Sequence, residues 1–491
     1  MRRIARLFVI LFSAAVLATS CLSDDNATDI TYYSDTAITS FSLGTLNRTM
    51  WTKSSTGEDS SYVTKVDGSV YKFYIDQLKR EIYNPDSLPV RTDAAHVLCN
   101  VSSKNSGFII LAYKDSEDND SLVYFNSSDS LDFTEPIEFR IYANDGIAYR
   151  AYKVSVNVHK EDPDSINWYN AGSNPAFTSM AAMKSVAFKD RLFVFGTDRS
   201  NTSVYSASLD APGTWTELST DNGATFDANA YASVVAKGDS LYTISGGRMM
   251  RSYDGNNWTS YDIQGNTAPI KLIAAGRSRL YGIDASGQIV SSEYSNHAWT
   301  VDAISGDVSM LPDENIGYGR FAASTDGNSE RINITGNRSE RIIIAGNRSL
   351  SSNPEDSVVM VWSKIEEYST NSERHSWMFC NEDNGYNLPR LANLKMLAYG
   401  DVLIALGGQG EGTSTAEAFS AFYVSEDNGL TWHDDDKYYM PEGFDNAESD
   451  VFTMTVDENN YLWIVCGGTG TVWRGRVNRL GWEENRTSFT E

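Results

Sequence analysis

From Ile166 onward one unit recurs along the chain, and it constrains the fold more than any other feature. Its apolar strand reads "RLFVFG" from Arg191, "SLYTISGG" from Ser240, "RLYGID" from Arg279, "RIIIAG" from Arg341, "VLIALGG" from Val402 and "YLWIVCGG" from Tyr461. Each strand is followed by a tryptophan in polar company: Trp215, Trp258, Trp299, Trp377, Trp432 and Trp482. Steps of about 40 to 55 residues, each with several short strands, predict a β-propeller, because one such unit buries its apolar face only against its neighbours. Six blades are expected and seven are the alternative. The longest step, Trp299 to Trp377, holds the near-duplicates "SERINITGNR" (from Ser329) and "SERIIIAGNR" (from Ser339). These are either an enlarged hairpin or the remains of a further blade. A further tryptophan, Trp168, precedes the first full unit. The N-terminal strand of this region is therefore expected to complete the last blade and remove the exposed sheet edges.

Upstream, residues 37–160 carry β-rich segments, among them "GFIILAY" from Gly107 and "IEFRIYAND" from Ile137. In "AYKVSVNVH" (Ala151 to His159) the alternating Val154, Val156 and Val158 mark a half-buried strand. Short strands over such a length predict an immunoglobulin-like β-sandwich. The best helical candidate anywhere is a short stretch around Ile75 to Ile82, so the chain is expected to be all-β. The division expected is a leader at 1–20, a tether at 21–36, the sandwich at 37–160, a linker at 161–165 around Glu161-Asp162-Pro163-Asp164, and the propeller at 166–491.

Arg2, Arg3 and Arg6 precede the apolar run Leu7 to Ala18, which is too short to span a bilayer and has the charge order of a secretory signal. Thr19 and Ser20 before Cys21 resemble the bacterial lipoprotein processing box. The resemblance implies cleavage before Cys21 and lipidation of that residue, with Leu17 and Ala18 departing slightly from the usual pattern. The Asp24-Asp25 cluster resembles the surface-export tag of Bacteroides-type lipoproteins, with a plain acidic tether as the alternative. A net charge of −25 argues against nucleic acid as a partner and against electrostatic adhesion to anionic membranes. Cys99, Cys380 and Cys466 show no metal or redox spacing and are read as buried apolar residues, with a Cys380–Cys466 bridge as the alternative.

"SEDNGLTW" (Ser425 to Trp432) places Asn428-Gly429 at a tight turn, with Ser425, Asp427 and Thr431 supplying oxygens to its backbone. It resembles the Asp-box of sialidases and related propellers, with Ser425, Asp427, Gly429, Thr431 and Trp432 at the defining positions. That resemblance implies a structural turn on the outer rim. "SYDGNNW" (Ser252 to Trp258) is a shortened relative, and "NEDNG" (Asn381 to Gly385) repeats part of it. A sialidase would need three carboxylate-binding arginines, for which Arg191, Arg248, Arg320 and Arg390 are candidates, and a tyrosine–carboxylate pair, for which Glu293-Tyr294 and Glu367-Tyr368 are candidates. The Arg-Ile-Pro signature of that family is missing. The five histidines show no zinc spacing, and Asp434-Asp435-Asp436 lacks a calcium-loop pattern. No metal, cofactor or catalytic residue is assigned.

The Gly-Gly pairs at 246–247, 407–408 and 467–468 resemble kelch repeats. Taken whole, the chain resembles uncharacterised Bacteroides-type lipoproteins that join an immunoglobulin-like domain to a kelch-like propeller. The stretch from Tyr386 to Gly408 running into Phe422 to Trp432 carries that resemblance most strongly. The expected role is a non-catalytic binding module at the cell surface, lipid-anchored in the outer membrane through Cys21, with a glycan or an envelope protein as partner. A sialidase-like hydrolase and a structural subunit of an envelope complex are the alternatives.

Overall fold

The computed structural model describes residues 36–482 apart from 54–58, 105–107, 115–119, 145, 220–224, 265–266, 295–296, 323–337, 369–374, 381–384, 436 and 447–448. Cys21, the leader and most of the tether lie outside the described residues, as do most of "NEDNG" and nearly all of the first duplicate copy. The described chain is β-structure punctuated by short 3-10 turns, and it divides into two compact units at Asp162/Pro163.

In the first unit a six-stranded sheet runs in the order Tyr74–Asp76, Glu81–Tyr83, Tyr149–Val154, Ile137–Tyr142, Ile109–Lys114, Asp120–Tyr124. The pair Ile38–Leu43 and Cys99–Ser103 contributes Ile38, Phe41, Leu43 and Cys99 to the same core as Phe139, Ile141, Tyr152 and Val154. Strand Ile137–Tyr142 alternates buried and half-buried side chains along its length, the two-residue period of a strand with one face in a core. Two local readings are corrected. The Ile75–Ile82 stretch is a hairpin in which Ile75 pairs with Ile82. The Asp76 carboxylate accepts the amides of Leu78 and Lys79, and Arg80 adopts φ 61°, so the chain reverses where a helix would have continued. The strand predicted through Val158 leaves its ladder at Val154. There Asn157 and Asn84 exchange side-chain and backbone bonds of 2.7–2.9 Å, replacing the ladder bonds.

The second unit is a series of antiparallel sheets. The first contains Ala182–Phe188, Arg191–Thr197, Asn201–Ser208 and Thr216–Leu218. The second contains Val235–Lys237, Ser240–Ser245, Arg248–Ser252 and Trp258–Ser260, and the third Pro269–Ala275, Arg279–Asp284, Ile289–Glu293 and Trp299–Val301. Next come the ladders Glu314–Ala322, Arg338–Asn347, Met360–Tyr368, Trp377–Phe379 and Lys395–Tyr399, Val402–Leu406, Tyr423–Ser425, His433–Asp434. They join edge to edge where Tyr318 pairs with Leu397. The last sheet takes Phe452–Val456, Leu462–Cys466 and Thr471–Val477 from the C-terminal end, and its fourth strand is Ile166–Ser173, paired antiparallel with Thr471–Val477. The first strands of these ladders are successive neighbours, and Phe452–Val456 returns to Ala182–Phe188, so the series closes on itself. Glu314–Ala322 pairs antiparallel with Arg338–Asn347, so the second duplicate copy lies mostly on a strand of this sheet.

The repeated tryptophans explain how successive sheets adhere. Trp258 meets Phe195 and Phe226 edge-on at 6.1 and 5.2 Å, Trp377 meets Tyr281 at 5.5 Å, and Trp299 joins the core of Tyr242 and Ile244. Trp432 packs with Ile343 and Val361, Trp215 with Phe177 beside Trp463, and Trp168 stacks on Phe422. In every case the indole from the outer part of one sheet enters the sheet before it. Trp482 stands apart from this pattern, because Trp168 in the closing strand fills its place. Cys99, Cys380 and Cys466 are buried and free, and burial pushes the Cys99 and Cys466 thiols up to about 12. Replacing fully buried Trp258 by Ala is expected to cost about 3–5 kcal/mol, since the indole would leave a cavity between two sheets. Chemical denaturation followed by tryptophan fluorescence measures it.

Candidate functional site

The turn at Ser425–Trp432 uses its polar groups internally. The Asp427 carboxylate accepts the amides of Leu430 (3.1 Å) and Thr431 (2.9 Å) and the hydroxyls of Ser425 (2.9 Å) and Thr431 (2.6 Å). Gly429, at φ 93°, donates its amide to Ser425 Oγ, and its carbonyl accepts the Trp432 indole N–H. Burial alone would raise the Asp427 pKa, but these bonds outweigh it and hold the carboxyl below its ordinary value. Ser252–Trp258 repeats the arrangement, with Gly255 at φ 78°, an indole bond from Trp258 to the Gly255 carbonyl, and Asp254 held at about 2. Both carboxylates are engaged by hydrogen bonds within their own turns and act as turn staples.

Three of the four candidate arginines have separate partners among the described residues. Arg191 donates to Ser206 Oγ, Arg320 faces Glu340 at 3.6 Å, and Arg248 lies exposed in Arg248–Ser252. Arg390 is wholly buried, donates to the carbonyls of Asn353 and Arg348, and lies near Asp356 and Glu411. Glu293 pairs with Arg279, Glu367 with His375 at 3.1 Å, and the Tyr294 hydroxyl donates to the Gly276 carbonyl. No two of these arginines share a hydrogen-bond or ion-pair partner among the described residues. Among the described residues no group of His, Cys, Asp and Glu has the arrangement of a metal site.

Two polar clusters escaped the sequence reading. In one, Lys364 binds Asp302 (2.5 Å) and Glu366 (3.1 Å), while Tyr281, Trp377 and Ser291 complete the carboxylates' hydrogen bonds. All six residues are buried, so this cluster is an internal clamp.

The other lines the cavity, of about 810 Å³, enclosed by the first strands of the successive sheets. Its wall mixes apolar side chains such as Met183, Ile270, Met396, Leu397 and Val456 with polar ones in about equal share, and it carries three lysines together with Arg320, Asp313 and Glu314. Lys184 lies in "MKSVA", Lys271 in "IKLIA" and Lys395 in "LKMLA". The shared pattern, apolar–Lys–x–apolar–Ala, was the available signal. The signal is weak, because the pattern recurs on only three of the first strands while the second strands and their tryptophans repeat in every unit. The register makes the lysines equivalent. Tyr318 pairs with Leu397, which sets Ile316 level with Lys395, and the Ser185 amide donates to Thr453 Oγ1, which sets Phe452 level with Lys184. The corresponding residue of "ASVVA" is Ser233. Lysines thus come from alternate strands, with Ser233, Ile316 and Phe452 between them.

Each lysine reaches toward the next strand in the series. Lys184 Nζ donates to the Ala232 carbonyl at 3.2 Å, Lys271 Nζ to the Asp313 carbonyl at 3.1 Å, and Lys395 Nζ lies 5.6 Å from the Phe452 ring centre. Desolvation, then repulsion from Lys271 and Lys395, pushes Lys184 down to about 7. The same two effects push Lys395 down to about 8, with Lys271 its charged neighbour. Lys271 is lowered by desolvation too, although Asp313 and Glu314 at the cavity edge oppose the shift.

The fold and this cavity define the class of protein as a β-propeller joined to a separate β-domain. The chain belongs to the DUF6242 family: the DUF6242 beta-propeller domain matches residues 162–485, and the DUF6242 N-terminal domain, described as a domain of unknown function, matches residues 41–156. Among solved structures, the Trichoderma reesei carbohydrate-active enzyme of family AA12 is 13% identical over 64% of this chain and 96% of its own, with TM-score 0.38. YCF48 bound to D1 peptide is 13% identical over 65% and 96%, with TM-score 0.32. PorZ of Porphyromonas gingivalis is 9% identical over 88% and 62%, with TM-score 0.29. These likenesses are too distant to carry a functional argument. No curated protein matches the chain.

The lowered lysines fix a sign for stability. Between pH 7 and about 10.5 the unfolded chain binds more protons than the folded one, so stability rises with pH across that window. Below it, folding carries the full cost of the crowded ammonium groups. Lys184→Met is therefore expected to be more stable than the parent at pH 6, with the difference narrowing toward pH 10. Thermal unfolding of both proteins across that range measures it.

Proposed function

We propose that this chain is a lipid-anchored surface protein whose propeller is a non-catalytic binding module taking its ligand in the central cavity. The observation that supports this reading most is the lysine trio. Three lysines lining one cavity, their ammonium forms disfavoured by burial and mutual repulsion, cost stability, and groups that cost stability persist where a ligand uses them. The cavity volume falls within the range of about 300–1,000 Å³ usual for small-molecule sites. A glycan or one terminal part of it is the occupant we favour. The wall pairs apolar surface with polar groups, among them Asn229, Tyr231, Asn315 and Tyr318, a mixture that suits a sugar's two faces.

In this reading the six closed ladders are six blades, and the turns at Ser252–Trp258 and Ser425–Trp432 are Asp-box-type staples on a kelch-like ring. The first unit is an immunoglobulin-like sandwich that serves as a spacer. Cys21 carries the lipid anchor, and the outer membrane, facing the exterior, is the location. The charge of −25 agrees with a solvated surface protein that avoids nucleic acid.

A broad array of host and dietary glycans, probed with the purified chain, tests the reading. A reproducible hit is expected, and it is expected to disappear in Thr455→Phe, where a ring fills the cavity from the half-buried end of Phe452–Val456. Circular dichroism checks that the variant keeps its fold. Binding that survives the substitution would remove the cavity from the account. A blank array would favour an envelope protein as the partner.

A further inference from the structure

The lysines also restrict the chemistry of the ligand, provided the cavity is the binding site as argued above. Each ammonium has three donors, and Lys184 and Lys271 each place one on a carbonyl of the following loop. Lys395 has no hydrogen bond or ion pair among the described residues, only the face of Phe452. Several donors are therefore left around one end of the cavity. They come from three directions, because the lysines occupy equivalent positions on alternate strands. The carboxylates lining the cavity, Asp313 and Glu314, are exposed at its edge and act on Lys271, while a further lining cation, Arg320, faces Glu340.

Three separated ammonium groups suit an anion with three outward oxygens. A carboxylate presents two oxygens in one plane, which a planar arginine fork meets better than three point charges do. The protein's own field narrows the choice further. At −25 overall the surface repels polyanions, so the ligand that reaches a cationic interior carries few charges on a neutral body. We propose that the lysine end of the cavity is an oxyanion site for a sulfate or phosphate ester on a small neutral sugar, with Lys184, Lys271 and Lys395 each donating to one terminal oxygen.

Calorimetric titration of the purified full chain with glucose 6-sulfate and glucose 6-phosphate, at fixed ionic strength, tests this, with glucuronate and glucose as comparators. One ester is expected to bind saturably and at least tenfold more tightly than glucuronate, and which one binds identifies the group. Lys184→Gln, Lys271→Gln and Lys395→Gln are each expected to weaken it by about tenfold or more, the loss of one charged hydrogen bond. Lys153→Gln, exposed in the first unit, is expected to change nothing. Glucuronate binding as tightly as the esters, or indifference to all three cavity substitutions, would overturn the oxyanion site. So would failure of both esters to bind. If glycan binding that Thr455→Phe abolishes persists in that case, the cavity remains the site and only the anion is wrong. Ester binding unaffected by Thr455→Phe and by the lysine substitutions would remove both.

Discussion

The ring depends on an indole from each sheet entering the sheet before it. Antiparallel ladders hold each sheet together internally, but backbone bonds scarcely connect one sheet to the next, Tyr318–Leu397 being a single bridge. Adhesion between sheets falls to side chains. Trp258, Trp299, Trp377 and Trp432 are buried at these contacts, while Trp215 and Trp168 serve the two sheets on either side of the closure. The last contact depends on Ile166–Ser173 pairing with Thr471–Val477. One end of the propeller sequence thereby fastens the other, and the series of sheets closes on itself. The turn staples at Asp254 and Asp427 serve the same end, since each fixes the backbone just before its tryptophan.

A ring held from outside leaves its centre free to be lined for another purpose. Strand edges face the cavity, and few side chains there are needed for adhesion. The Ser185–Thr453 bond spans two of those edges. Where adhesion does not dictate the residue, the chain places lysines at three equivalent points and accepts their repulsion. This contrasts with Lys364, whose charge is answered at close range by Asp302 and Glu366. The two environments separate a lysine paired at close range with two carboxylates from lysines that line the cavity with no ion pair among the described residues.

Much of the architecture was legible because it follows from periodicity. Apolar second strands and their tryptophans recur at steps of about 40 to 55 residues with one longer step, and Trp168 ahead of the first unit foretold the closing strand. The Ser425–Trp432 turn was legible because Asn-Gly and its flanking oxygens act locally. Tertiary context defeated other readings. The Ile75–Ile82 spacing suits a helix, but the Asp76 side chain captures the amides. Val156 and Val158 continue an alternation, but Asn84 and Asn157 end the ladder. The cavity was hidden for a different reason. Its lysines, Lys184, Lys271 and Lys395, are far apart in the chain, and only the closed ring brings their equivalent positions around one cavity.

The most direct test of the account is the titration of lysine side chains in protein carrying ¹³C,¹⁵N-labelled lysine, followed by nuclear magnetic resonance with and without saturating sulfate. The account predicts that Lys184 and Lys395 lose their protons near pH 7 and 8, far below their neighbours, and move upward once the anion is bound. Lysines that all titrate near the ordinary value of about 10.4, unmoved by the anion, would contradict it.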